Sequence, residues 1–238
     1  MRIVITYARH APYQPIGWHL TKALRAAGQS VLLVGVRDRP WWGTIAKRLT
    51  KQRTGRQWDP ATWANDRLLK ITATYRPDVV LELGGDVFTP STLRAVRRTA
   101  KRLGLWLLEG PLVDRLRPVL DDYDVIASTS RIAVQQLQAS GFRQATYLPF
   151  ATDPAWFRPG NIQERDRPYR LGFVGAYSQK REAVLGRVSD LGLLLWGSEW
   201  DQAASATWVP RALNGPRGIF GKALVRCYQR TATLISIQ

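Results

Sequence analysis

The stretch Arg76-Pro-Asp-Val-Val-Leu-Glu-Leu-Gly-Gly-Asp86, followed by Thr89-Pro90, decides how this chain reads. Asp78 to Leu83 is a short apolar run without strict alternation, the pattern of a strand covered on both faces. Arg76-Pro77 closes the segment before it, because a residue ahead of proline is pushed out of the helical region. Thr89-Pro90 opens the segment after it, pairing a capping hydroxyl with a proline tolerated at the first helical position.

The same alternation extends in both directions. Towards the N-terminus a helix starts at Asp59-Pro60 and ends before Arg76-Pro77, Val31 to Val36 is a strand, Ile16 to Ala27 is a helix closed by Gly28, and Arg2 to Thr6 is a strand. Towards the C-terminus the helix from Thr89-Pro90 is expected to run to Gly104. Strands follow at Leu105 to Leu108 and Asp124 to Ala127, then a helix capped by Ser130 and ending at Ser140-Gly141, then a strand from Ala145 to Leu148. Strands separated by helices predict an α/β fold with a parallel sheet. Ligands of such sheets sit beyond the carboxyl ends of the strands, so the loops after each strand are where function is sought.

Pro149, Pro154, Pro159, Gly160 and Pro168 then punctuate a polar stretch that reads as a linker. Beyond it come a strand at Tyr169 to Val174, a helix at Gln179 to Asp190, a strand at Leu193 to Trp196, a looser segment, a helix at Gly221 to Arg230 and a strand at Ala232 to Ile237. The expected organisation is a Rossmann-like domain at 1–150, a linker at 151–168, and a second Rossmann-like domain at 169–238. With two or three strands, that second domain is expected to be incomplete.

Composition narrows the function. One cysteine, Cys227, excludes an internal disulfide and a cysteine zinc cluster, and two histidines make a histidine metal site a poor reading. No apolar run approaches the roughly 18 residues of a spanning helix, and Ile3 to Thr6 is too short for a signal-peptide core. A cytoplasmic location, peripheral at the inner membrane face, is the expectation. The formal charge of +17 favours anionic partners. It is concentrated in residues 1–150, with 23 basic and 11 acidic groups, against 12 and 7 in residues 151–238.

The ordered segments of the second half carry a resemblance. Leu171-Gly-Phe-Val-Gly-Ala-Tyr-Ser-Gln-Lys-Arg181, then Leu193-Leu-Leu-Trp-Gly-Ser-Glu-Trp200, resemble the donor-domain opening of CgeB-like (spore-maturation-protein-type) glycosyltransferases. Tyr123 to Ser130, Tyr147 to Asp153 and Gly218 to Ile237 resemble neighbouring segments of that family. The resemblance implies a GT-B-type fold and transfer of a sugar from a nucleotide-sugar donor to an unknown acceptor hydroxyl, with no metal and no further cofactor. The family's next segment holds an arginine–x–phenylalanine–glutamate motif whose glutamate binds the ribose, and this sequence lacks it. Where the family tends to aspartate–x–proline, this chain has Glu109-Gly110-Pro111. An alternative is therefore a non-catalytic, truncated GT-B binding protein.

Candidate residues follow from these positions. Lys180 and Arg181 open a helix whose N-terminal N–H groups favour an anion, and two cations there suit a diphosphate; Gly172 and Gly175 let backbone approach a ligand. The competing reading is a solvated basic pair beside a glycine turn. His10 in the loop after the first strand is a candidate base for an acceptor hydroxyl, because the ordinary pKa of a histidine lies near neutrality, although a loop histidine is more often merely solvated. Asp86 and Glu109 occupy the loops after later strands, where a carboxylate can orient a sugar hydroxyl or serve as base, or simply cap a turn. His19 and the charges of Asp114, Asp121 and Asp122 read as structural or surface groups.

Arg37 to Trp58 combines seven basic residues with Trp41, Trp42 and Trp58. That mixture suits an anionic membrane surface or, less well, single-stranded nucleic acid; a solvated helix with packed tryptophans is the plain alternative. No zinc-finger, RNA-recognition or helix-turn-helix signature supports sequence-specific nucleic-acid binding. Arg94, Arg97, Arg98, Lys101 and Arg102 recur at helical spacing and are expected to form one solvated helix face.

Overall fold

A computed structural model describes residues 1–7, 16–35, 60–85, 87–108, 113–203, 206–215 and 218–237. Packing divides the chain into two units, Met1–Ala151 and Thr152–Gln238. The basic, tryptophan-rich stretch 37–58 lies outside the described residues.

In the first unit, strands β1 (Arg2–Tyr7), β2 (Ser30–Gly35), β3 (Val79–Leu83), β4 (Arg102–Leu107), β5 (Val125–Ser128) and β6 (Ala145–Tyr147) form one sheet in the order β2-β1-β3-β4-β5-β6. Every neighbouring pair is parallel. Helices α1 (Ile16–Ala26), α2 (Pro60–Tyr75), α3 (Pro90–Val96), α4 (Val113–Leu120) and α5 (Arg131–Ala139) supply the crossovers. Alternate strand residues separate the two covering layers. Val4, Val80 and Leu105 face a core with Leu68, Leu93, Leu116, Leu120 and Leu137, drawn from α2 to α5. Ile3, Ile5, Leu83 and Trp106 face the other side, where Ile16, Leu20 and Leu24 of α1 pack. Burial on both faces is why these strands read as continuous apolar runs.

Three expectations are corrected here. The helix from Thr89-Pro90 stops at Val96 rather than Gly104, and β4 begins at Arg102. Thr89 caps it as expected, but Thr99 turns its hydroxyl onto the Val96 carbonyl, and the chain leaves the helix through a tight turn. The five basic residues therefore form no helical face. Arg94 pairs with Asp122, Arg97 and Arg102 both pair with Asp124, and Lys101 pairs with Asp78. Asp122, expected on the surface, is 9% exposed and accepts from Arg94 Nε at 3.3 Å. Helix α4 has no counterpart among the expected elements, because Pro118 masks its helical pattern.

Asp78 ties together the amino ends of three strands. It accepts the Arg2 N–H at 2.8 Å and pairs with Lys101 Nζ at 2.8 Å, and the Lys101 hydrogen bond above all lowers its pKa to about 2. A carboxylate whose folded pKa is depressed adds stability above its unfolded pKa near 4, and that stability is lost as pH falls towards 2. Asp78→Asn is thus expected to flatten the acid limb of a pH–stability curve between pH 4 and 2 relative to the parent. Equal slopes in urea titrations across that window would show that the pairing is immaterial.

In the second unit, β7 (Tyr169–Val174), β8 (Leu193–Trp196), β9 (Leu213–Gly215) and β10 (Thr231–Ile235) form a sheet in the order β10-β7-β8-β9, again parallel throughout. Its helices are α6 (Gln179–Gly186), α7 (Val209–Ala212) and α8 (Gly221–Arg230). Phe173, Leu185, Leu193, Leu195, Trp200 and Val209 make its core. The looser segment after Trp196 contributes α7 and β9, so the sheet has four strands rather than two or three. Residues 152–168, expected as a linker, fold with this unit: Gln229 of α8 donates to the Arg158 carbonyl, the Phe157 and Tyr228 rings meet, and Arg167 donates to the Thr231 carbonyl.

Candidate functional site

Each sheet changes direction once. In the first, β2 and β3 flank β1, with Tyr7 paired to both Gly35 and Leu83, and Leu83 paired in turn to Trp106. His10, Asp86 and Glu109 follow the carboxyl ends of β1, β3 and β4, and all three lie outside the described residues. What flanks Asp86 is described. Gly84 and Gly85 sit at φ +109° and +95°, and a Cβ on Gly85 would press on Leu105, Leu107 and Leu116, so both glycines are demanded by the backbone. On the far side, the Asn65 side chain of α2 donates to the Val87 carbonyl at 3.4 Å and accepts the Thr89 N–H at 3.0 Å.

Beneath this loop lies a buried polar group that the sequence reading did not single out. Glu82 of β3 is 2% exposed and accepts a hydrogen bond from the Tyr123 hydroxyl. Its strand partner Thr6 is fully buried, and the Thr6 hydroxyl has no hydrogen-bond partner among the described residues. Burial first, and the Glu82 charge second, push the Tyr123 phenol well above its usual range. His19 lies in α1 with its ring edge-on to Trp18, centroids 4.8 Å apart.

The second sheet switches between β7 and β10, and here the loop at the carboxyl edge is described in full. Gly175 to Ser178 leave β7 and enter α6. Ser178 caps the helix, its hydroxyl accepting the Arg181 N–H at 3.3 Å. The loop is fastened from several sides. Gly175 N–H donates to the Trp196 carbonyl, Tyr177 N–H to the Ser198 carbonyl, and the Trp200 indole N–H to the Gly175 carbonyl at 2.9 Å. A Cβ on Gly197 would overlap that same Gly175 oxygen, so the loops after β7 and β8 touch backbone to backbone. Trp200, 2% exposed, also stacks edge-on with Tyr177 at 5.5 Å. Gly197 and Trp200 carry a signal in the sequence, a glycine shortly before a tryptophan just past a strand, although neither is among the candidate residues above.

The four predicted binding residues do different things. Gly172 is within β7, where its missing Cβ admits Thr231 and Trp196 from the flanking strands. Gly175 is packed against the Phe173 ring, which a Cβ would meet at 2.8 Å. Arg181 lies over the same ring and spends its guanidinium on backbone, donating to Ala176 O at 2.7 Å and Ile237 O at 3.4 Å. It straps the β7 loop to the segment after β10, across the switch point. Lys180 is exposed at the first turn of α6. Among the described residues no cluster of three His, Cys, Asp or Glu side chains is placed to hold a metal ion, and no helix is long and apolar enough to cross a membrane.

Two Rossmann-like units with all-parallel sheets, each with a switch point, are an α/β fold of the GT-B type. Solved structures with this fold include UDP-GlcNAc 2-epimerase from Methanocaldococcus jannaschii, with 9% identity and a TM-score of 0.55, over 98% of this chain and 78% of that one. The Neisseria meningitidis UDP-GlcNAc 2-epimerase, bound to UDP-GlcNAc, matches at 9% identity and a TM-score of 0.54 over 98% and 77%. The apo form of the lipopolysaccharide outer core galactosyltransferase WaaB matches at 11% identity and a TM-score of 0.50 over 100% and 68%. At such identities the likeness is one of fold. No family model matches the sequence, and no curated protein does either.

Proposed function

We propose that this protein acts on a nucleotide sugar held by its second unit, and transfers the sugar to an acceptor hydroxyl on its first, as CgeB-like glycosyltransferases do. The observation that carries this reading is the Gly175–Ser178 loop, fixed at the switch-point edge of a parallel sheet and leading into the N-terminus of α6. Such an edge is where this class of sheet binds ligands, and free N–H groups at a helix start favour a diphosphate. Fold neighbours described as acting on or bound to UDP-GlcNAc support the ligand class.

The roles divide accordingly. Lys180 contributes charge to the departing diphosphate, lowering the barrier without a metal. Arg181 positions the loop through its two carbonyl contacts and adds charge from behind. His10, Asp86 and Glu109 are the candidates for the acceptor base. The epimerases among the fold neighbours favour a second reading, in which the nucleotide sugar is itself rearranged with no acceptor. Anionic-membrane docking through 37–58 and a peripheral cytoplasmic location complete the proposal; direct nucleic-acid recognition is the weaker partner.

Lys180→Ala is expected to weaken nucleoside diphosphate binding about tenfold, the loss of one charge-assisted contact, with an unchanged Tm. Arg181→Ala is expected to lower both affinity and Tm, because it also cuts the strap. Calorimetry and thermal melts on the two variants separate these outcomes, and unchanged affinity in Lys180→Ala would place the diphosphate elsewhere. Incubation with a panel of nucleotide sugars distinguishes the chemistries: released nucleotide indicates transfer or hydrolysis, whereas a new sugar signal by NMR without release indicates epimerisation.

A further inference from the structure

Helix α8 carries its charge along one side. Lys222, Arg226 and Arg230 recur every four residues, all three are exposed, and the helix holds no acidic residue. They form a straight row about 12 Å long, with cations about 6 Å apart and within about 80° of one another around the axis. No Asp or Glu occurs in the chain after Asp201. Among the described residues, no carboxylate forms an ion pair with the three cations.

Neighbouring segments set the edges of this row. Arg230 lies over the Tyr169 ring, 5.0 Å from its centroid, which orients its guanidinium. Gln229 packs against Gly160 and donates to the Arg158 carbonyl at 3.0 Å. The Arg158 backbone is thereby fastened beside the row, and its exposed side chain adds a fourth cation. The rest of α8 is turned elsewhere. Cys227 is 6% exposed and its carbonyl accepts the Thr231 hydroxyl at 2.7 Å, so the apolar side faces the sheet. The exposed aromatic pair, Phe157 and Tyr228, meets on the opposite flank, since Tyr228 stands about 160° round the helix from Arg226.

We infer that this face of α8 binds the phosphodiester backbone of a single-stranded nucleic acid. The negative charges of such a strand recur at regular steps along a line, and a straight row of cations follows that line. Arginine forks suit phosphate oxygens, and three of the four cations are arginines. A bilayer is the poorer fit, because a helix lying on a membrane inserts an apolar face, and that of α8 is spent on the sheet. The contact is to backbone alone and carries no base readout, in keeping with a sequence that holds no signature for one. It is independent of the nucleotide-sugar reading, since the Gly175–Ser178 loop and Lys180 take no part in it.

The test measures the affinity of the full chain for a labelled oligothymidylate across a salt series. It compares the parent with the triple variant Arg158→Gln, Lys222→Gln, Arg226→Gln. A second triple variant, Arg143→Gln, Arg187→Gln, Arg211→Gln, removes the same charge from exposed positions off the row. All substituted side chains are exposed, so both variants are expected to keep the parent's Tm. Loss of three phosphate contacts is expected to weaken binding at least tenfold at low salt and to make the slope of log K against log salt shallower by about 2. The second variant is expected to stay within about twofold of the parent, since its charges make no phosphate contact. Lys222→Gln and Arg226→Gln, made singly, are each expected to give about a third of the slope change, which keeps the test open should the triple variant fold poorly. Equal losses in the two triple variants would show attraction by net charge and overturn the inference. So would an α8 variant that binds as the parent does, or a parent that does not bind. An α8 variant that loses binding to anionic vesicles while keeping the oligonucleotide would overturn it in favour of a membrane.

Discussion

Replacing Gly197 with alanine is expected to destabilise the second unit by about 3 kcal/mol or more, and to abolish the nucleotide binding proposed for it. The added methyl would overlap the Gly175 carbonyl oxygen, which is backbone and has nowhere to go. Gly175 is held by its own N–H to the Trp196 carbonyl at 2.8 Å and by the Trp200 indole on its oxygen. Gly197 is held by its N–H to the Gly215 carbonyl at 3.0 Å. Relief therefore requires breaking at least one of these bonds or parting β7 from β8. Gly192→Ala provides the comparison, because Gly192 is at φ +78° with open space around its Cα. That change adds backbone strain alone, about 1 kcal/mol. Urea titrations of the two variants would compare them. Similar midpoints for the two variants would mean that the β7 and β8 loops yield easily and that the Gly175 contact does not hold the site.

The alternation of strand and helix was legible because the first sheet is covered on both faces, which leaves continuous apolar runs at β1, β2 and β3, and because β7 and β8 are apolar runs of the same kind. Caps were legible too: Thr89, Ser130 and Gly28 act where their chemistry placed them. The failures have local causes. Ala100 is 7% exposed and Leu103 1%, so the apolar period continued past Val96 although the backbone had already turned towards β4. Pro118 hid α4. Strand β9, Leu213-Asn-Gly215, is too short and too polar to carry a strand pattern, and only its pairing with β8 defines it. At the site, Lys180 and Arg181 looked equivalent in sequence. What separates them is a carbonyl at Ala176 and another at Ile237, contacts between segments far apart in the chain that no local pattern encodes. Glu82 was read as one more strand residue, and its partner Tyr123 stands 41 positions away.

That pair sets the second large effect. Tyr123→Phe removes the hydroxyl that donates to a Glu82 carboxylate only 2% exposed, and Tyr123 itself is 4% exposed. Taking one partner from a buried charge-assisted hydrogen bond costs about 3 kcal/mol, more than the net worth of the bond, because the remaining group stays desolvated. The pH dependence gives the result a second readout. Tyr123 has a folded pKa raised above its unfolded value near 10, by burial first and by the Glu82 charge next. A raised folded pKa means that the contribution is fully present below pH 10 and is lost as pH climbs above it, since the unfolded chain releases a proton that the folded chain retains. The parent is expected to lose about 1.4 kcal/mol more per pH unit than Tyr123→Phe once pH exceeds 10, and the two to run parallel below it. Glu82→Gln keeps an acceptor for the phenol and removes the charge, so it is expected to be milder than Tyr123→Phe and to lower the alkaline slope only in part. Chemical denaturation at a series of pH values from 7 to 11 measures all three. A Tyr123→Phe variant as stable as the parent at pH 7, with the same alkaline slope, would show that the phenol sits over Glu82 without holding it. It would leave the apolar packing of Leu103, Leu105 and Leu120 as what secures the floor of the β3 loop.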